Sequence, residues 1–375
     1  MAAATEVKTI NLPVLSINRT VSILSNIYVK AIRQNLSPKI IPSVMLWGPP
    51  GVGKSQAVRQ IAKEIGRDTG KKVIVTDVRL LLFNPIDIRG IPVANEDRTL
   101  AVWLKPKIFQ MDPDENVVNI LFLDEISAAP QSVQAAAYQI TLDRVVGEHA
   151  LPDNCIVIAA GNRVTDKAVA FKMPKPLANR LMHFEIEGSF ESWRSWAIQA
   201  GVNEKVIGYL SFRNDHLFGF DAKSDDLAFP TPRSWEMVSN ILNIMNGNVE
   251  PAYPMISGLI GRGVAMEFKV WCTVYADLPS MEDIFAGKDA KVPTKVNAMY
   301  ALVSSMTAYA AEHRYDNVMI GNSLLYSRKM PADFTELLVQ NYASFDKDYP
   351  DFLRSIPEYT KLISQKGIMR NGHVE

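Results

Sequence analysis

With 375 residues the chain is long enough for two or three domains with a sizeable core, and 47% hydrophobic content fits an ordinary globular protein. Forty Lys and Arg balance forty Asp and Glu, so no global field favours nucleic acid or an anionic membrane, and only a local basic patch stays open. Cys155 and Cys272 sit among apolar residues without metal-ligand spacing and are expected as buried thiols; residues 1–8 lack a signal-peptide core and no apolar run could span a bilayer, so a cytoplasmic location is expected.

In chain order, Val21, Leu24, Tyr28, Ala31 and Ile32 fall on one helical face and predict a helix before the first strand. Five strand-like runs follow at 43–47, 72–77, 117–123, 154–160 and 182–187, each rich in Val, Ile, Leu or Phe. Continuous apolar runs alternating with helix-compatible segments predict an α/β fold, a mostly parallel sheet sandwiched by helices. After Glu187 the strand signal fades. Residues 190–212, 231–246, 255–275, 294–313 and 331–343 carry helical periodicity, so a helical subdomain begins near 189. No internal repeat or low-complexity tract is present.

The densest chemical signal is Gly48-Pro49-Pro50-Gly51-Val52-Gly53-Lys54-Ser55, followed by Gln56, between the first predicted strand and a helix carrying Ala57, Ile61 and Ile65 that Gly66 is expected to end. Glycines let backbone N–H groups close around phosphate oxygens, and the helix N-terminus adds its positive end. Lys54 then reaches the β/γ-phosphates, and Ser55 is a ligand for Mg²⁺. Ile120-Leu121-Phe122-Leu123 delivers Asp124 and Glu125 at a strand's C-terminal end, where open α/β sheets bind ligands. Asp124 suits the Mg²⁺ shell and Glu125 the polarisation of an attacking water. Alone, the pair would equally serve as a loop start or helix cap.

Three weaker signals follow. The run 156–160 ends in Gly161-Asn162-Arg163, where Asn162 is either a turn former or a holder of the attacking water or a γ-phosphate oxygen. In Pro176-Leu177-Ala178-Asn179-Arg180-Leu181, Arg180 is either a structural cation or an arginine finger on a neighbour's nucleotide. Thr231-Pro232-Arg233 places a cation in the first turn of a helix, where the dipole disfavours it unless it faces an anion.

Taken in order, these motifs resemble the AAA+ ATPases, and within them the MoxR group of the helix-2-insert clade. Supporting segments are Asn84-Pro85-Ile86-Asp87-Ile88-Arg89-Gly90-Ile91-Pro92, Gly147-Glu148-His149-Ala150-Leu151-Pro152-Asp153 and Ser192-Trp193-Arg194-Ser195-Trp196-Ala197. The resemblance covers roughly 15–275 and nothing specific beyond about 290. It implies an ATPase core over 1–188, with the N-terminal helix, and a helical lid over 189–285; the helical periodicity that continues beyond leaves 286–375 as a C-terminal helical extension. It further implies a homo-oligomeric ring, usually of six subunits, with nucleotide between neighbours.

By the same resemblance Gly48 through Gln56 cradle ATP, Ser55 and Asp124 hold Mg²⁺ and Glu125 activates water. Asn162 is then the first sensor, Arg180 the trans-acting finger with Arg163 a weaker candidate, and Arg233 the second sensor. The group couples hydrolysis to remodelling of protein partners, often with a von Willebrand factor A domain, and the resemblance favours ATP over GTP. Residues 83–109, with Pro85, Pro92, Pro106, Glu96, Asp97 and Trp103, form a stretch too long for an ordinary connection, and correspond to the clade's insert. Residues 144–153 correspond to the hairpin before the first sensor. Trp103 and Leu104 either contact a partner or pin the stretch to the core, whereas Trp193 and Trp196 read as lid core. A P-loop kinase is disfavoured by the Asp-Glu strand end and the two later arginines. A nucleotide-binding switch with little turnover is disfavoured by an intact Glu125, and a DNA-directed motor has no support from the neutral charge.

Overall fold

The computed structural model describes residues 12–163, 173, 178–219 and 226–366 and falls into two compact units, Met1–Ser189 and Phe190–Glu375. In the first, the elements run β1 (Val14–Ser16), α1 (Ile17–Arg33), β2 (Val44–Trp47), α2 (Lys54–Thr69), β3 (Lys72–Arg79), α3 (Pro85–Arg89), β4 (Ile91–Ala94) and β5 (Ala101–Leu104). They continue with β6 (Val117–Asp124), α4 (Gln131–Asp143), β7 (Val145–Val146), β8 (His149–Ala150), β9 (Cys155–Gly161) and β10 (Met182–Glu187). Six strands form one parallel sheet in the order β1-β10-β2-β9-β6-β3.

All five predicted strands are present. Successive residues point to opposite faces: Leu46, Ile120, Phe122, Ile156 and Ile158 pack towards α1 and α2, while Met45, Leu121, Leu123 and Val157 pack with α4. Both faces are covered, which is why the strands read as unbroken apolar runs. Each such buried Leu, Ile or Phe contributes about 1.5–3 kcal/mol relative to exposure.

The predicted N-terminal helix is α1, with all five of its marker residues buried. Two local readings are corrected. Helix α2 does not stop at Gly66; it runs to Thr69 and ends at Gly70, whose N–H bonds the Gly66 carbonyl at 2.9 Å. Gly66 stays helical at a cost of about 1 kcal/mol relative to Ala. Residues 83–109 are not an irregular stretch but contain α3 and an antiparallel hairpin pairing Ile91 with Leu104 and Val93 with Val102.

The second unit contains no strand among the described residues. Its helices are α5 (Phe190–Gln199), α6 (Glu204–Phe212), α7 (Pro232–Ile244), α8 (Val249–Ile260), α9 (Arg262–Cys272), α10 (Met281–Phe285), α11 (Val296–Glu312), α12 (Asn317–Ser327), α13 (Ala332–Ala343), α14 (Tyr349–Ser355) and α15 (Pro357–Lys366). The predicted runs 190–212 and 255–275 are each divided, the second at Gly261, whose φ of 80° a side chain would strain. Helices on both sides of residue 285 share one hydrophobic core that includes Trp193, Tyr209, Trp235, Phe268, Tyr342 and Leu362, with Trp196 packed against it. Cys155 is buried as expected, but Cys272 is only half-buried; burial pushes the thiols up to about 11 and about 12 respectively. Among the described residues no helix is long and apolar enough to cross a membrane.

Candidate functional site

Parallel pairing aligns Trp47 with Gly161, Leu123 with Ala159 and Arg79 with Asp124, so the C-terminal ends of β2, β9, β6 and β3 meet at one edge of the sheet. The chain leaving β2 is the glycine-rich loop. Gly53, with φ of 104°, turns it directly into α2, a conformation that penalises any L side chain. Helix α2 opens at Lys54 with no side-chain cap and no acidic residue in its first turn, so its N-terminal N–H groups and positive dipole end face the loop.

Lys54 is buried, and its ammonium donates to Gly48 O at 2.6 Å, Pro49 O at 3.0 Å and Asn162 Oδ1 at 3.0 Å. It thereby joins the loop to the end of β9. Ser55 Oγ donates to Asp124 Oδ2 at 3.0 Å, and the other carboxylate oxygen, Oδ1, accepts the Glu125 N–H at 2.9 Å. Gly48 to Gln56, Asp124, Glu125 and Asn162 thus lie together at this edge of the sheet. Glu125 has φ of 58°, a left-handed conformation that costs a non-glycine residue about 1–2 kcal/mol. Strain of this kind gathers at functional positions. Its carboxylate makes no hydrogen bond among the described residues.

Two contributors escaped the sequence reading. Ser127, buried behind the loop, accepts the Asn162 N–H at 2.8 Å and so fixes the backbone there. A Cβ on Gly161 would sit 2.8 Å from Ser127 Oγ and from Met45 Cε, so a glycine there keeps this bond possible. Asp77, two residues before the end of β3, is the other: burial and then the neighbouring Asp124 charge hold its carboxyl above the usual range, against Arg79 and Arg59.

The three arginines fare differently. Arg163 forms an ion pair with Glu185. Arg180 is exposed, with no hydrogen bond or ion pair among the described residues, in a turn closed by Leu181 N–H to Ala178 O at 3.3 Å; Pro176 and Leu177 of the same motif lie outside the described residues. Among the described residues no hydrogen bond or ion pair joins Arg180 to the Lys54 cluster. Arg233 belongs to the second unit, exposed in the first turn of α7. There Thr231 Oγ1 accepts the Ser234 N–H at 3.0 Å and Ser234 Oγ accepts the Thr231 N–H at 2.8 Å.

A cavity of about 840 Å³ lies within the second unit, lined by Phe212, Val270, Trp271 and Lys295 among others, and holds none of these groups. The convergence of loop, carboxylates and amide at the sheet edge outweighs cavity size as a marker of chemistry.

Residues 44–187, from the start of β2 to the end of β10, match the family described as ATPase family associated with various cellular activities (AAA). No curated protein matches the chain. Similar solved structures include a point mutant of Thermotoga maritima RuvB (14% identity, 90% of this chain and 87% of that one, TM-score 0.34). Others are NtrX from Brucella abortus in complex with ADP (13%, 94% and 68%, TM-score 0.36) and the Aeropyrum pernix ORC2 protein in ADPNP-ADP complexes (14%, 94% and 88%, TM-score 0.33). At these TM-scores the three say nothing further about this chain.

Proposed function

We propose, from the match of residues 44–187 to the AAA ATPase family, that the protein is a MoxR-type ATPase whose copies form a ring, and that hydrolysis remodels a protein partner. The observation that carries the ATPase reading is the pair of bonds from consecutive residues, Lys54 to Asn162 and Ser55 to Asp124, which joins the ends of β9 and β6 to the loop that leaves β2 in one polar cluster. Gly48 to Gln56 hold the triphosphate, with phosphate oxygens taking over acceptor positions now filled around the Lys54 ammonium. Glu125 takes a proton from the attacking water and Asn162 orients it. Arg180 reaches a neighbour's γ-phosphate, and Arg233 responds to nucleotide from the lid.

The hydroxyl of Ser55 and carboxylate of Asp124, 3.0 Å apart, are hard oxygen donors of the kind Mg²⁺ uses, and these two residues would hold it. When bound, the ion supplies charge neutralisation on the β- and γ-oxygens. In this reading 189–285 act as the lid and 286–375 as an extension sharing its core; the ring is a hexamer, works in the cytoplasm, and acts on a client or adaptor such as a von Willebrand factor A protein. Phosphate release from Mg·ATP tests the reading. Binding without release would instead make the chain a switch, and release stimulated by DNA in a salt-dependent way would make it a motor.

Partner contact is assigned to the β4–β5 hairpin. One face carries Ile91, Val93, Val102 and Leu104, with Ile91 and Leu104 each 56% exposed, and Glu96 and Asp97 are exposed at its turn. Leu104 therefore does not pin the segment to the core. Such an apolar face with a charged rim is what an interface anchor requires. Trp103 is half-buried, and its carbonyl meets His149 Nε2 of the β7–β8 hairpin at 2.7 Å. Replacing residues 94–104 by a short Gly/Ser linker is expected to keep assembly and basal ATP turnover within about threefold and to abolish stimulation by the partner. Loss of folding in that variant would assign the segment to the core, and unchanged stimulation would move the contact to 144–153.

A further inference from the structure

His183 lies on β10, beside β2, and bridges two parts of the site. The Trp47 indole N–H donates to His183 Nδ1 at 2.9 Å, and the rings stack with centroids 6.1 Å apart and planes 18° from parallel. Indole is a donor only, so Nδ1 must offer its lone pair and the neutral ring carries its proton on Nε2. That Nε2–H faces the Ala178 carbonyl at 2.6 Å. The same carbonyl accepts the Leu181 N–H, closing the four-residue turn in which Arg180 is the third residue. Trp47 in turn is the last residue before the glycine-rich loop. One imidazole, locked in one tautomer, thus connects the strand that feeds the phosphate cradle to the turn that presents the exposed arginine.

We propose that His183 is a positioning residue for Arg180: it fixes the arginine's turn and ties that turn to the β2 end. Movement of the cradle on nucleotide binding or release is thereby passed to the finger offered to the next subunit. The proposal rests on the trans role assigned to Arg180 above. A histidine that merely satisfies its own polar atoms in a half-buried place would show the same two bonds, so the test has to read the finger itself.

His183→Gln keeps a donor near the Nε2 position, whereas Asn is too short to reach Ala178. His183→Asn is expected to bind a fluorescent ATP analogue like the wild type and to lose on the order of a hundredfold in turnover, the scale of a catalytic group displaced by about 1 Å. His183→Gln is expected to recover most of that loss. In mixed rings His183→Asn should behave as a finger mutant, with turnover restored by Lys54→Ala subunits, which keep a finger but lack a cradle, and not by Arg180→Ala subunits. Trp47→Phe frees the tautomer without touching the turn and should shift turnover in the same direction by less; it serves if the His183 variants fail to fold.

Wild-type turnover in His183→Asn, or in Trp47→Phe where that variant has to serve, overturns the proposal. So does failure of Lys54→Ala to restore His183→Asn while it restores Arg180→Ala. If neither variant is restored in rings shown to co-assemble, the trans role of Arg180 falls, and the proposal with it.

Discussion

Glu125→Gln is expected to lower ATP turnover by about 10²–10⁴-fold, the usual contribution of a general base, with nucleotide affinity near that of the wild type. The two adjacent carboxylates differ in their hydrogen bonding. Asp124 is engaged through both oxygens, by Ser55 Oγ and by the Glu125 N–H, whereas the Glu125 carboxylate has no partner among the described residues and stands on a strained left-handed backbone. Glutamine preserves shape and polarity and removes only the basic oxygen, so binding should survive. Lys54→Ala gives the complementary pattern, because it removes the cation that joins the loop to Asn162 and would face the phosphates. Single-turnover kinetics with a fluorescent nucleotide separate the two. Wild-type turnover in Glu125→Gln would remove Glu125 from the role of base.

Arg180→Ala is expected to cost on the order of a thousandfold in turnover, the range found when a finger that stabilises transition-state charge is lost. Arg180 and the weaker candidate Arg163 differ in their surroundings. Arg163 is already held by Glu185, while Arg180 is exposed and free of ion pairs among the described residues. Subunits carrying Arg180→Ala mixed with subunits carrying Lys54→Ala should regain activity, since some interfaces then combine an intact cradle with an intact finger. Arg163→Ala should show no such complementation. Absence of rescue in co-assembled rings would return Arg180 to a structural role.

The sheet was legible because its strands are buried on both faces, and the loop because its chemistry tolerates few residue types. Strand β1 was not, since Val14–Ser16 is three residues long and owes its extended form to pairing with Glu185–Glu187 at the sheet edge. The β4–β5 hairpin was hidden for the opposite reason: Pro92 interrupts one strand and its apolar side chains remain exposed, so neither a buried run nor a clean alternation marks it. Within the site, Lys54, Ser55, Asp124 and Glu125 announce themselves by local pattern. Ser127 meets Asn162 and His183 meets Trp47 across 35 and 136 residues, contacts that no local spacing reveals. Gly161 carried the signal for Ser127, as a residue with no room for a side chain, but the reason for the missing room lies in the turn after β6, where Ser127 sits, and in Met45 on β2.

Phosphate release by the purified protein with ATP and Mg²⁺, run beside Lys54→Ala and Glu125→Gln, tests the central claim most directly. Multiple turnovers by the wild type are predicted, with Lys54→Ala failing to bind ATP and Glu125→Gln binding it without turnover. Tight ATP binding by the wild type with no phosphate released, either as single subunits or as assembled rings, would contradict the claim.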